Sequence, residues 1–377
     1  CISSAASDVY KRQPKYLTGD GGPGSFLNND GAPDALPTAE GTMDAPFTCL
    51  VPAAGSADDP APFVLYGHGL LGSRSEVQGI GALGASVGLG VCALDEIGMA
   101  SADIPAIVEA FADLTAFRTV PDRLQQGALG FLLLGRALAS DEGFGTDPAF
   151  QDADGGSIID GENLALLGAS QGGIQGGVSS SLTTDWDRVV LAVPGIGYNL
   201  LLRRSIDFDE FLPALEESYP DPVIQSMLPD LLEQLWQRGE NAGYAQHLAS
   251  DPYEGVEAKN VLLLEAFGDH QVANVSTEKL ARTLGIGVRE PALADGRSTD
   301  VEPMWGLEAL ELPTSEGGLV VWDFGTPAPP TENVPNRGGD DPHGKLSDVP
   351  EALALLLAFV TEGQIIDVCD AQPCTSP

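Results

Sequence analysis

Gly168-Ala169-Ser170-Gln171-Gly172-Gly173 follows directly on Asn163-Leu164-Ala165-Leu166-Leu167 and continues into a stretch rich in Gly and Ser. The apolar run reads as a buried strand and the Gly- and Ser-rich stretch as a helix. A side chain displayed on so tight a strand-to-helix turn sits on strained backbone, and residues two positions to either side must be small. Gly168 and Gly172 meet that demand, which gives the G-x-S-x-G string a steric reason. The helix after Ser170 also turns its positive end toward the serine. Ser170 is therefore the candidate nucleophile, and the turn predicts an α/β fold.

The rest of the chain agrees with that reading. Short apolar runs at 63–66, 91–94, 164–167, 189–193, 261–267 and 319–324 alternate with helical patterns. Continuous apolar runs suit strands buried on both faces, so the alternation predicts βα units, a mainly parallel central sheet and flanking helices. Residues 121–139 begin with Pro and Asp and read as a helix, as do residues 347–360, with Pro350 in the first turn. Residues 14–60 read as an irregular arm with an edge strand at 47–51. Residues 198–252 break the alternation: Phe208, Phe211, Leu215, Ile224, Leu228, Leu231, Leu232, Leu235 and Trp236 recur at helical spacing, with no strand candidate among them. The expected domain plan is a core of residues 61–197 and 253–377, interrupted by a helical cap at 198–252. The plainer alternative is a set of surface helices with an apolar inner stripe.

Residues 1–13, CISSAASDVYKRQ, look like a translated adapter and are left out of the fold reading, although Cys1 could otherwise be a lipoprotein cysteine. Cys49, Cys92, Cys369 and Cys374 remain, an even set without metal-ligand spacing. Two disulfides, Cys369 with Cys374 and Cys49 with Cys92, would fit an oxidising compartment and a secreted or periplasmic protein. Four buried thiols are the alternative. Acidic residues number 55 against 18 basic ones, a formal net charge of −37. Such a field repels phosphates and anionic headgroups, so nucleic-acid and anionic-membrane partners are not expected. No apolar run reaches the roughly 18–20 residues of a membrane-spanning helix.

A serine hydroxyl needs a base, and a histidine has a suitable pKa. The chain has four. His68 ends a strand in a His-Gly pair, His247 lies in the helical insertion, and His270 directly follows the best acid candidate. That leaves His343, in a loop before the last helix. The acid candidate is Asp269, which follows the 261–267 strand through Gly268; Asp323, Asp340 and Asp341 are closer to His343 in sequence and compete with it. Asp152, Asp154 and Asp160 form a fragment of a calcium loop, but without its terminal bidentate Glu. A solvated turn is the simpler reading, and no metal site is expected. Trp186, Trp236, Trp305 and Trp322 could line an acyl pocket, although core packing is the simpler role.

With Asp269 and His343 the order along the chain is Ser, Asp, His, as in α/β-hydrolases. The chain resembles that superfamily over nearly its whole length after the N-terminal arm, through His68-Gly69, the GASQGG turn, the GDHQV segment at 268–272 and the late His343. More narrowly, it is similar to a group of bacterial secreted hydrolases sharing YGHGLLGS, SQGG, LLRRS, GDHQV and a C-terminal cysteine pair. The resemblance implies an oxyanion hole from the backbone N–H groups of Leu70 and Gln171. It implies the fold and the triad of Ser170, His343 and Asp269 but does not give the substrate. The leading expectation is serine-dependent hydrolysis of a small or polymeric carboxylic ester, of carboxylesterase or lipase type, without cofactor. Leu70 in place of an aromatic and Gln171 in place of Met weaken a polyester reading. A serine peptidase or amidase, or a non-catalytic binding module on the same fold, are the alternatives.

Overall fold

The computed structural model describes residues 11–32 and 35–376, so the first ten residues of the expected adapter lie outside the described residues. The chain divides into two compact units, Cys1–Leu167 with Leu182–Trp186, and Gly168–Ser181 with Asp187–Pro377.

In the first unit, β1 (Lys11–Pro14) pairs antiparallel with β2 (Thr42–Ala45), so the ordered fold reaches into the stretch set aside as adapter. Then come β3 (Phe47–Leu50), β4 (Ala61–Gly67), α1 (Val77–Ser86), β5 (Gly90–Leu94), α2 (Ile104–Ala112), α3 (Thr119–Ala139) and β6 (Ile159–Ala169), whose last two residues belong to the second unit. The strand order is β6-β4-β5-β3. β4 and β5 run parallel, and β3 lies antiparallel at the edge. Every residue of β5 is buried, as a strand covered on both faces requires. Behind β3, Phe47, Phe144 and Phe150 form a ring stack with centroids 4.9 and 5.0 Å apart.

The second unit opens with α4 (Gln171–Leu182), whose last residue falls in the first unit, and continues through β7 (Arg188–Ala192). Residues 198–252 then carry α5 (Tyr198–Leu201), α6 (Leu212–Ser218), α7 (Pro222–Trp236) and α8 (Ala245–Ala249). Among the described residues, no strand lies in this segment. Asp221 caps α7, its carboxylate accepting from the N–H groups of Val223 and Ile224, with Pro222 as the first helical residue. After it come β8 (Asn260–Phe267), α9 (Asn274–Leu284), β9 (Gly287–Val288), β10 (Gly318–Asp323), α10 (Pro350–Glu362) and β11 (Cys374–Thr375). The order here is β11-β10-β8-β7 with β9 on β10, and every one of these pairs is parallel. The architecture is thus the expected α/β one, mostly parallel strands flanked by helices.

Cys49 and Cys92 face each other in the β3–β5 register and are bonded, as are Cys369 and Cys374. The first pair closes a loop of 43 residues, for which chain entropy alone gives about 4 kcal/mol. Exchange of both Cys49 and Cys92 for Ser is expected to lower the unfolding free energy by about 2–4 kcal/mol in urea titrations. An unchanged midpoint would show that the bond constrains nothing the sheet does not already hold. No helix among the described residues is long and apolar enough to cross a membrane.

Candidate active site

Ser170 sits between the end of β6 and the start of α4 at φ +56°, the left-handed region that non-glycine residues rarely enter. Its N–H donates to the carbonyl of Ala192 at the end of β7 (2.9 Å), and its own carbonyl accepts from Ile174 (3.0 Å). These two bonds tie the strained residue to both strand and helix. A Cβ on Gly168 would come within 2.0 Å of the carbonyl oxygen of Gly172, so the steric demand read from the sequence is present in the backbone. The sequence reading missed Gly173: a Cβ there would meet the carbonyl oxygen of Ala192 at 3.2 Å and Pro194 at 3.0 Å. That close approach of α4 to the end of β7 has no signal in the G-x-S-x-G string.

Asp269 is presented by a turn after β8. Asn274 closes this turn, its Oδ1 accepting from Gly268 N–H (2.8 Å) and its Nδ2 donating to the Ala266 carbonyl (2.8 Å). Oδ1 of Asp269 accepts from the N–H groups of Gln271 (2.8 Å) and Val272 (2.9 Å), which leaves Oδ2 to face His343 Nδ1 at 2.7 Å. The carboxylate can only accept, so Nδ1 carries the proton and Nε2 keeps its lone pair. Ser170 is 8% exposed, Asp269 2% and His343 9%, so all three are screened from bulk water. Among the described residues, Ser170 Oγ has no hydrogen-bond partner; the Asp–His contact is closed and the Ser–His contact is not.

The competing acids have other partners. Asp323 pairs in two-pronged fashion with Arg297, one bond at 2.7 Å. Asp341 accepts from the N–H groups of His270 (3.3 Å) and His343 (3.1 Å) and from Gln271 Nε2 (2.8 Å), so it shapes the histidine loop through the backbone. At Asp340 it is the backbone carbonyl that is engaged, accepting from Thr326 Oγ1 (2.7 Å). The other histidines are engaged as well. His68, fully buried, donates from Nδ1 to its neighbour's carbonyl (2.8 Å) and accepts at Nε2 from Glu96 N–H (2.8 Å). His247 lies 2.6 Å from the Asp251 carbonyl, and His270 3.2 Å from that of Gly338.

Burial pulls the His343 imidazole toward its neutral form, but the Asp269 carboxylate, then Asp341 and Asp207, outweigh that and hold its pKa above the ordinary histidine value. If His343 serves as a base it must be neutral to act, so kcat/KM should then rise with pH and level off above an inflection higher than about 6.5. An inflection at or below that value would contradict the charge surroundings described. Asp207, a group the sequence reading passed over, is pushed up to about 6 by burial, with the His343 charge opposing and Asp269, Asp341 and Asp209 reinforcing.

Leu70 lies in the first unit on the loop after β4. There Glu76 Oε2 accepts from Gly69 N–H (3.0 Å) and from the Tyr66 hydroxyl (3.2 Å), so a carboxylate seven residues on fixes the loop. Asp95 receives Arg74 N–H at 2.7 Å and its guanidinium. Gln171 is the first residue of α4, where backbone N–H groups have no acceptor within the helix. Its side chain is buried and accepts from the Tyr198 hydroxyl. The 152–160 turn spends the Asp152 carboxylate on backbone N–H groups of Ala57, Asp154 and Gly156. Among the described residues, no cluster of three potential metal ligands occurs. Trp186, Trp236 and Trp322 are buried in the core, and Trp305 is exposed.

No protein-family model matches the chain, and no curated protein does. Among solved structures, the chain is similar to acetyl xylan esterase 1 from a Thermoanaerobacterium species, at TM-score 0.48 and 12% identity over 94% of this chain and 88% of that one. An acetyl xylan esterase from a Paenibacillus species gives 0.45 and 13%, over 93% and 88%. Puromycin hydrolase gives 0.46 and 15%, over 98% of this chain and 40% of that one. The chain spans 40% of puromycin hydrolase and 58% of 2,6-dihydroxy-pseudo-oxynicotine hydrolase, another similar structure. At such identities the likeness concerns the course of the chain and speaks to neither substrate nor mechanism.

Proposed function

We propose that the chain is a secreted serine hydrolase that cleaves carboxylic esters through an acyl-enzyme, with Ser170 as nucleophile, His343 as base and Asp269 as its orienting acid. The observation that carries this reading is the 2.7 Å Asp269–His343 contact, in the same unit as a serine at φ +56° between strand and helix. In the scheme, Nε2 of His343 takes the Ser170 proton as Oγ attacks the acyl carbon. The tetrahedral oxyanion is stabilised by backbone N–H groups, for which Leu70 and Gln171 are proposed. One such donor is worth about 2.7–4 kcal/mol. Collapse expels the alcohol, which takes the proton from His343, and water then repeats the sequence to release the acid. Two disulfides and the charge of −37 are in keeping with an extracellular setting.

Residues 198–252 are proposed as the cap that shapes the acyl site. The test is a fluorophosphonate probe, which should label the wild type and not Ser170→Ala, followed by p-nitrophenyl esters of graded chain length against peptide and polyester substrates. Absence of label on a folded wild type would refute the serine-hydrolase reading. Faster turnover of peptides than of any ester would replace esterase by peptidase.

A further inference from the structure

Gln171 directly follows the candidate nucleophile, so its backbone N–H belongs to the same strained turn. The residue is 1% exposed, and a buried amide oxygen left unpaired is costly. The oxygen accepts from the hydroxyl of Tyr198, the first residue of α5, 27 positions further along the chain. That hydroxyl cannot wander. The Tyr198 ring stacks on Trp236 of α7 with centroids 4.0 Å apart and planes at 16°, and meets Phe208 edge-on at 6.5 Å and 82°. The aromatic ring has two torsions, and packing fixes both. A second tie lies two residues further along α4, where Asn241 Nδ2 donates to the Gly173 carbonyl (3.0 Å), and also to that of Gly195 beyond β7 (2.9 Å). The helical segment 198–252 is thus keyed to the first turn of α4 through side chains of its own.

We propose that Tyr198 is a positioning residue: by fixing the Gln171 carboxamide, it sets the orientation of the Gln171 backbone N–H toward the developing oxyanion. The inference rests on the serine-hydrolase reading and deepens it by giving the segment 198–252 a part in catalytic geometry as well as in shaping the acyl site. A bond made to the enzyme and not to the substrate should act on the transition state alone. Tyr198→Phe keeps the ring and its stacking and removes only the hydroxyl. It should lower kcat about tenfold with KM within about twofold, since a small misplacement of one donor forfeits part of its effect. The inhibition constant of a trifluoromethyl ketone, whose adduct carries the oxyanion, should rise by the same factor as kcat falls.

Tyr198→Phe also strands the Gln171 oxygen and lowers stability, so the double variant Tyr198→Phe with Gln171→Met, which removes both polar partners, provides the control. The melting temperature should recover in the double variant while kcat stays depressed. Two results would overturn the proposal: kcat within twofold of wild type in Tyr198→Phe, or recovery of kcat together with the melting temperature in the double variant. Either would reduce the bond to a structural one. Failure of the underlying reading looks different, because the wild type itself would then resist the fluorophosphonate.

Discussion

Exchange of Asp269 for Asn is expected to lower kcat by about four orders of magnitude while leaving the fold intact. The direction follows from how the carboxylate is held. Oδ1 accepts two backbone N–H groups, from Gln271 and Val272, and an amide NH2 cannot replace it there. In the variant, the Asn oxygen must take that place, which puts the amide nitrogen where Oδ2 met His343 Nδ1 at 2.7 Å. The imidazole would then accept at Nδ1 and carry its proton on Nε2, the atom that in the proposed scheme receives the Ser170 proton. The variant would be folded and substrate-competent, with its base in the wrong tautomer. Steady-state kinetics on a short p-nitrophenyl ester, with enzyme concentration set by protein mass, measures the loss. The rate of fluorophosphonate labelling should fall alongside. A decrease of less than tenfold would remove Asp269 from the support of the base.

The second large effect is expected at Gly168→Ala. A Cβ at this position would lie 2.0 Å from the Gly172 carbonyl oxygen, 2.4 Å from its carbon and 2.8 Å from Gly173 nitrogen. All three are backbone atoms at the start of α4, so no side chain can swing aside. The turn must open, at a cost of about 3 kcal/mol, the upper range for overpacking. Opening it displaces Ser170, and a misplacement of about 1 Å is enough to cost about a hundredfold in rate. Activity should therefore fall further than the folded fraction does, a difference that circular dichroism and kinetics on the same sample resolve. Gly79→Ala is the matched control. That helical glycine has open space around its missing Cβ, so the change should stabilise by about 0.5–1 kcal/mol and leave activity alone. Equal behaviour of the two variants would mean that the clash at Gly168 is relieved without consequence.

The parts legible in the sequence share one property, that their cause is local. Strands covered on both faces are dominated by apolar residues, so β5 and β8 announce themselves, β8 in spite of Glu265 within it. The G-x-S-x-G turn is a collision rule among five consecutive residues, and Gly168 obeys it. Even so, reading by apolarity shortened β6, which runs from Ile159, because Asp160, Gly161 and Glu162 carry no apolar signal. The exclusion of residues 1–13 likewise failed to anticipate β1, a strand whose reason is its antiparallel partner at Thr42–Ala45.

Choosing a base was feasible because histidines are few. Choosing its acid was a different problem, with 55 carboxylates available and the nearest in sequence not the one in contact. Asp341, two residues from His343, touches it through the backbone; Asp269, 74 residues away, touches the ring. The roles of Glu76, Asp207, Tyr198 and Asn241 could not be read from the chain, since each depends on a partner brought close only by folding.

By itself the sequence determined the α/β class, the position of the strained serine and the short list of groups able to serve it, because pattern, steric demand and scarcity act along the chain. The tertiary structure alone decided which carboxylate meets His343, which tautomer that contact enforces and what holds Gln171. Those are questions of distances of a few ångströms between residues far apart in sequence, and hydrogen-bond geometry is set only when burial brings the partners together.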